Sequence, residues 1–305
     1  MKRMIRLFFV SLFIYSLLHP YSIVLSKDSS PDINSNKEES SFDETRYDVD
    51  ELNEYDYKPI NTKDYKSIDD LINELLAKYQ IDSNDVSIDF QNLTNNDYYE
   101  LNVDQLWIAA STTKVVISAL YIDLMNQDLV NWETQIPYVP AYAIYDSPLE
   151  TRGQSSYSVE YLIYEALVHS DNVATYHLVY YYINNFADLH TAILNFINYD
   201  KPISDEYYYD NYASADMLTK ILNKVATQPE YKPIVDLMLE AEPPQLFQRF
   251  ITHGMATKYG NLDDVLHDTG IFFDDSGKPV YTLVAMTHNE WEFIEELGLR
   301  VNEWV

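Results

Sequence analysis

The sequence predicts an α/β fold of the α+β type, in which both ends of the chain build a five-stranded antiparallel sheet. Three observations support this prediction. Strand-like patterns are confined to two regions, near residues 86–103 and 249–287. The region between them, about 111–246, is typical of an inserted all-helical lobe. Helical patterns precede the first strands and follow the last, so terminal helices are expected to flank the sheet.

The elements follow in order along the chain. Ser67 begins a helix as its N-cap, because acids occupy the first turn and apolar residues recur at helical spacing. Two strands start at Val86 and Tyr98, with TNND as the turn between them. Three strands then lie in RFITHGMATK, VLHDTGIFF and KPVYTLVAMT, and an amphipathic helix runs from Trp291 to Val305. A ligand site is expected in the cleft between the sheet and the helical lobe.

Residues 1–26 have the pattern of a signal peptide or an N-terminal membrane anchor. Three basic residues precede an apolar run from Leu7 to Leu18, and apolar residues resume after a short break. Both alternatives place the body of the protein outside the cytoplasm, extracellular or at the cell surface. Residues 27–65 are acidic and lack apolar periodicity, which predicts a disordered linker. The folded domain is expected over residues 66–305.

Composition excludes several classes of function. The formal net charge of -29 repels phosphate backbones and anionic lipid headgroups, so nucleic acid is not expected as a partner. The chain has no cysteine, which removes disulfides, thiolate metal sites and a cysteine nucleophile. No glycine-rich phosphate loop and no G-x-S-x-G motif is present. Catalysis is therefore left to hydroxyls, carboxylates, lysines or histidines.

The stretch AASTTKVVISALYIDL places Ser111 and Lys114 at the start of an otherwise apolar helix. Residues three apart share one helix face, and a buried amine that has lost its proton can act as the base for a serine nucleophile. The helix N-terminus also favours negative charge that develops near Ser111. The plainer interpretation is a capping serine followed by a lysine whose stem packs on apolar surface.

Two further motifs favour the catalytic interpretation. The stretch ALVHSDNVATYHLV contains Ser170-Asp171-Asn172, and MATKYGNLDDVLHDTGIF contains Lys258-Tyr259-Gly260 at the end of a strand. In this order and on these elements, the chain resembles the penicillin-recognising serine hydrolases, and most closely the class A β-lactamase family, with its S-x-x-K, S-D-N and K-T-G signatures. The resemblance covers about residues 67–305.

The resemblance implies four catalytic residues. Ser111 attacks a strained or activated amide carbonyl and becomes acylated, while Lys114 takes its proton directly or through water. Ser170 hands a proton to the leaving nitrogen. Lys258 supplies positive charge for the substrate carboxylate and lowers the cost of proton movement at Ser170. For Asp171 a structural role in its tight loop is favoured.

The substrate-binding residues that the resemblance implies are Asn172, Tyr259, Gly260 and Asn261. Asn172 would hold the side-chain amide of the substrate, and the N–H groups of Ser111 and Asn261 would form the oxyanion hole. Tyr259 departs from the family pattern, because a phenol replaces a small hydroxyl. We expect its ring to crowd the pocket.

A second departure concerns release of the acyl group. Class A β-lactamases carry a glutamate that activates the deacylating water, but the segment YDKPISDEYYYD has no E-x-x-x-N pattern. Glu206 and Asp205 are candidates only by their proximity in sequence. Without a positioned base, an acyl-enzyme is expected to persist.

No metal or organic cofactor is expected. His267 and Asp268 lie on an apolar strand with no second ligand pair at fixed spacing, so a structural role is favoured over a metal or His-Asp site. The tyrosine clusters at 180–182 and 207–209 indicate lobe packing or a rim around the cleft.

The leading hypothesis is a serine hydrolase that acts on β-lactams or related amides. One alternative is a penicillin-binding or cell-wall peptidase with slow deacylation, and another is a non-catalytic surface module that retains the fold. The expected partners are a small-molecule β-lactam or a peptidoglycan-derived peptide. The N-terminal segment is a candidate membrane tether, and the protein is expected to be a monomer.

Overall fold

The computed structural model describes residues 47–48, 52, 58–143 and 147–305. The predicted signal or anchor at 1–26 lies outside the described residues. Within the segment predicted as a linker, Tyr47 and Leu52 are buried, and Tyr47 forms a β-bridge with Ile251. The described part of that segment therefore contacts the domain. No helix among the described residues has the length and apolar character needed to cross a bilayer.

The described α-helices lie at both ends of the domain and through its middle, as the sequence pattern predicts. Those at the ends are α1 and α9, and α2–α8 lie between them. Their bounds are α1 Ile68–Lys78, α2 Lys114–Asn126, α3 Pro148–Arg152, α4 Val159–Leu167, α5 Asn172–Asn185, α6 Leu189–Phe196, α7 Ala215–Thr227, α8 Lys232–Leu239 and α9 Trp291–Trp304.

The main sheet is antiparallel, with strand order β2-β1-β10-β9 and then an edge position shared by β7 and β8. Five strand positions therefore contain six strands, and the predicted fold class is confirmed. Lys258 and Tyr259 interrupt the edge between β7 and β8. The strand bounds are β1 Val86–Asn92, β2 Tyr98–Leu101, β3 Trp107–Ile108, β4 Gln135–Pro137, β5 Ser156–Ser158, β6 Tyr212–Ala213, β7 Met255–Thr257, β8 Gly260–Leu262, β9 Val265–Phe273 and β10 Pro279–Thr287.

Side chains alternate along a strand, so the sheet presents two faces. Both faces are covered. On β10, Leu283 and Ala285 pack with α1 and α9, whereas Val284 and Met286 belong to the core of the helical lobe. Helix α7 lies against this second face. The result is a three-layer domain in which the edge formed by β7 and β8 lies beside the start of α2.

Two short strand pairs modify the predicted all-helical lobe. Strands β4 and β5 pair within it, and β6 pairs with β3, joining Ile108 to Tyr212. Strands of two or three residues have no readable period, so the sequence did not predict them. The β3–β6 pair matters for the site, because it brings the chain before Ser111 next to the segment before α7.

Candidate active site

Ser111 lies in the short 3-10 helix Ala110–Thr113, which leads directly into α2. Its neighbour Ala110 has φ 49°, in the left-handed region that alanine rarely adopts. This turn presents Ser111, which is partly exposed, at the N-terminal end of a helix. Unpaired N–H groups and the helix dipole both favour negative charge at that end.

Gly260 on β8 packs directly on the backbone of the nucleophile. A Cβ at position 260 would lie 2.8 Å from the Ser111 nitrogen and 3.0 Å from the Ala109 oxygen. Only glycine fits there, which explains the third residue of the Lys-Tyr-Gly motif. Asn261, the next residue on β8, is exposed and lines the cleft beside Ser111.

Lys114 joins the first two motifs. Its amine side chain is buried, and Nζ donates to the Ser170 carbonyl oxygen at 2.5 Å and to the Asn172 Oδ1 at 2.8 Å, with the Ser170 Oγ at 3.2 Å. Burial lowers the pKa of Lys114 well below its ordinary value; the charge of Lys258 acts in the same direction, and Asp171 opposes both. Lys114 is therefore suited to be a neutral base.

The loop 170–172 is held in one conformation by its own contacts. Ser170 has φ 56°, another left-handed residue, and its carbonyl points to Lys114. Asp171 is the N-cap of α5 and accepts a hydrogen bond from the Ala174 N–H at 2.6 Å. The structural role predicted for Asp171 is thus confirmed, and Ser170 and Asn172 face Lys114.

Lys258 is buried at the gap between β7 and β8, and its backbone pairs with Thr269 of β9. Burial lowers the pKa of Lys258 to about 8, against the opposing effect of the Asp268 carboxylate. Lys258 is close enough to Lys114 for its charge to affect that pKa. Lysines from the first and third motifs therefore meet in one region, as the sequence predicted.

The expectation that Tyr259 crowds the pocket stays a prediction. Its ring packs on the core of the terminal helices, its side chain hydrogen-bonds Gln245, and the Lys258 Nζ lies 4.9 Å from the ring centroid. Tyr259 is not among the described residues that line the cleft at Ser111. Ser170 and Lys258 are also outside that lining, so the ring lies beside Lys258 rather than beside Ser111.

The cleft is defined by eleven lining residues, and four of them were predicted: Ser111, Lys114, Asn172 and Asn261. The sequence motifs did not predict the other lining residues. The polar ones among them offer hydroxyl and amide groups but no carboxylate. The missed lining residues are Ala110, Thr113, Ile117, Thr175, Tyr176, Asn211 and Leu262.

Neither candidate for a deacylating base lies in this lining. Asp205 and Glu206 occupy an exposed 3-10 helix, Asp205–Tyr208, and Glu206 interacts with the Tyr212 side chain. Their role in deacylation is therefore unsupported by the geometry. Of the tyrosines nearby, Tyr207 is buried and belongs to the lobe core.

His267 and Asp268 are structural, as predicted. The His267 Nε2 lies 2.9 Å from the Ile108 oxygen, and its Nδ1 accepts from the Thr287 N–H; burial lowers the pKa of His267 to about 4. Asp268 accepts from the N–H groups of Phe247 and Thr269. Among the described residues, no group of three His, Asp or Glu side chains is arranged to hold a metal ion.

Comparisons with known proteins place this geometry in context. The model of the β-lactamase enzyme family matches residues 67–305. The search of curated proteins found no match. Among solved structures, an ancestral class A β-lactamase is similar with a TM-score of 0.64 at 15% identity, over 77% of this chain and 100% of that one.

Two further structures show the same fold. A β-lactamase from Desulfarculus baarsii DSM 2075 has a TM-score of 0.65 at 15% identity, over 80% of this chain and 98% of that one. The protein PBP-A has a TM-score of 0.63 at 18% identity, over 76% of this chain and 94% of that one. A mutant of PBP-A is described as an acyl-enzyme complex with penicillin G. At these identities the likeness concerns the fold alone.

Proposed function

Because the chain belongs to the β-lactamase enzyme family, we propose that it forms an acyl-enzyme on Ser111 with β-lactams or related amides and releases the acyl group slowly. One observation carries the proposal. Ser111 shares a cleft with Lys114, a buried amine bonded to Ser170 and Asn172, and the described lining of that cleft contains no carboxylate.

Acylation uses the groups in the following order. Neutral Lys114 accepts the Ser111 hydroxyl proton as Oγ bonds to the substrate carbonyl carbon. The N–H groups of Ser111 and Asn261 stabilise the oxyanion. The C–N bond then breaks, Ser170 donates its proton to the departing nitrogen, and the proton held by Lys114 returns to Ser170. Protons balance, and the product is an ester on Ser111.

Substrate binding relies on charge and amide groups. The Lys258 ammonium, with a pKa of about 8, is mostly charged at neutral pH and attracts a substrate carboxylate. The Asn172 amide lines the cleft near Ser111 and pairs with a substrate amide. A β-lactam and a cell-wall peptide ending in a carboxylate both carry these groups, so both are proposed substrates.

Release of the acyl group requires a water and a base that removes its proton. No aspartate or glutamate among the described residues lines the cleft beside Ser111. Slow turnover follows. This supports the penicillin-binding alternative over efficient β-lactam hydrolysis.

Location is a proposal that rests on the sequence alone. The basic and apolar pattern of residues 1–26 supports export, with the domain extracellular or at the cell surface. Protease treatment of intact cells that express the full chain would remove the domain if this is right. Full protection of the domain from that protease would contradict it.

Labelling with a fluorescent penicillin tests acylation. The parent should take up one equivalent, seen as a mass increase equal to that of the penicillin, and Ser111→Ala should take up none. Labelling of Ser111→Ala to the same extent as the parent would overturn the assignment. An unlabelled parent with any penicillin or cephalosporin would favour a non-catalytic module.

A further inference from the structure

Asn211 makes three contacts with the turn that carries the nucleophile. Its backbone oxygen accepts from the Ala109 N–H at 2.8 Å, and its Nδ2 donates to the Ala110 oxygen at 2.7 Å. Its Oδ1 accepts from the Thr113 hydroxyl at 2.8 Å. Asn211 is buried and lines the cleft, but none of the three sequence motifs includes it.

These bonds lie on either side of Ala110, whose backbone conformation is unfavourable. Ala110, at φ 49°, occupies the left-handed region, which disfavours alanine by roughly 1–2 kcal/mol. The Ala110 peptide leads directly into Ser111, so its conformation sets the direction of both the Ser111 N–H and Oγ. Bonds from Asn211 to the residues on both sides of Ser111 offset this strain.

We infer that Asn211 is a positioning residue that holds Ala110 left-handed and so keeps Ser111 in its reactive orientation. The inference rests on the proposed function, because the orientation matters only if Ser111 is acylated. It concerns acylation specifically. Each end of the Asn211 amide bonds to the turn, and an amide has no basic group that could take a proton from the deacylating water, so its role is to position the nucleophile.

The test separates binding, acylation and release. In Asn211→Ala the acylation rate constant for benzylpenicillin should fall roughly 10- to 100-fold, since small misplacements of reacting groups have effects of this size. The noncovalent dissociation constant and the rate of adduct loss should match those of the parent. The measurement is stopped-flow acylation followed by intact-protein mass spectrometry.

A second variant tests for recovery of the acylation rate, which a general loss of stability would not allow. Glycine has no penalty in the left-handed region, so Ala110→Gly combined with Asn211→Ala should recover much of the lost acylation rate. If Asn211→Ala does not fold, Thr113→Val and Thr113→Ser provide the comparison. The valine variant, which loses the hydroxyl, should acylate more slowly than the serine variant, which keeps it.

Asn223 offers a matched control away from the cleft. Its amide also uses both ends, since Nδ2 donates to Gln91 Oε1 at 2.7 Å and Oδ1 accepts from the Thr282 hydroxyl at 2.8 Å. Asn223→Ala should lower stability without changing the acylation rate constant.

The outcomes distinguish the two proposals. A labelled parent with an unchanged acylation rate in Asn211→Ala, or a defect confined to adduct loss, overturns the positioning role alone. Failure of Ala110→Gly to recover any rate also overturns it. A parent that takes no label overturns the proposed function and this inference together.

Discussion

Lys114 in the cleft and Glu296 on α9 are both buried charged side chains, but their partners differ. Glu296 accepts from the Lys78 ammonium and the Tyr79 hydroxyl and pairs with Arg300. Burial raises the pKa of Glu296, but these partners outweigh it and hold the pKa below its ordinary value. Lys114 is bonded only to carbonyl, hydroxyl and amide oxygens in the described structure, and its pKa falls.

A buried charged side chain can therefore contribute either to stability, as Glu296 does, or to chemistry, as we propose for Lys114. An ion given opposite charges stays ionised and ties the terminal helices together. A buried amine that is bonded to neutral groups and has a like charge nearby gives up its proton more easily, even against the opposing charge of Asp171. Burial disfavours the charged form of both side chains, so the partners determine the direction in which each pKa shifts.

The largest expected effect is at Lys114. Lys114→Met should lower the acylation rate constant by about 10²- to 10⁴-fold, the usual contribution of a general base. Lys78→Met is the matched control, because it removes a lysine from the Glu296 cluster instead. It should acylate like the parent, and equal losses in both variants would contradict the comparison. Stopped-flow acylation measures both.

The next effect is on stability. Glu296→Gln should lower the free energy of unfolding by about 1–3 kcal/mol, because it removes the carboxylate shared by Lys78 and Arg300, while Arg300 keeps its pair with Glu303. The folded pKa of Glu296 is depressed, so its contribution is present above its unfolded pKa and is lost as pH falls through the folded value. In urea unfolding, the difference from the parent should be largest at pH 7 and should shrink as the pH is lowered towards 3. Acylation should not change.

A smaller effect on the acylation rate is expected when the pH is raised from 7 to 9. The pKa of Lys258 is lowered to about 8, so its charge is mostly present at pH 7 and mostly lost at pH 9. Acylation by an anionic β-lactam should therefore fall about tenfold between these pH values. Arginine stays charged, so Lys258→Arg should remove this alkaline decline. A rate that is level to pH 10 in the parent would show that the charge of Lys258 is not used.

The motifs predicted the centre of the site because each fixes residue types on one local element. Ser111 and Lys114 lie three positions apart on a helix start, and Ser170 and Asn172 flank a helix cap, so sequence spacing carries their geometry. Asn211 has no such signature. It reaches Ala110 only through the pairing of β3 with β6, and two-residue strands leave no periodic pattern.

The direction of the Tyr259 side chain could not be predicted from a local sequence pattern either. The sequence shows a bulky residue where a small hydroxyl is usual, which predicts crowding. The direction of the ring depends on Gln245 and on the core beneath the sheet, which are distant in the chain. Side-chain direction at an interrupted edge strand is set by tertiary packing, so the sequence alone could not place the ring.

We propose that the cleft acylates Ser111 and, because no aspartate or glutamate among the described residues lines it, releases the acyl group slowly. Burst kinetics with nitrocefin test this claim most directly. We expect a colour change equal to one equivalent of enzyme, followed by a phase at least about a hundredfold slower. Sustained rapid turnover without a burst would contradict it, as would a burst of equal size in Ser111→Ala.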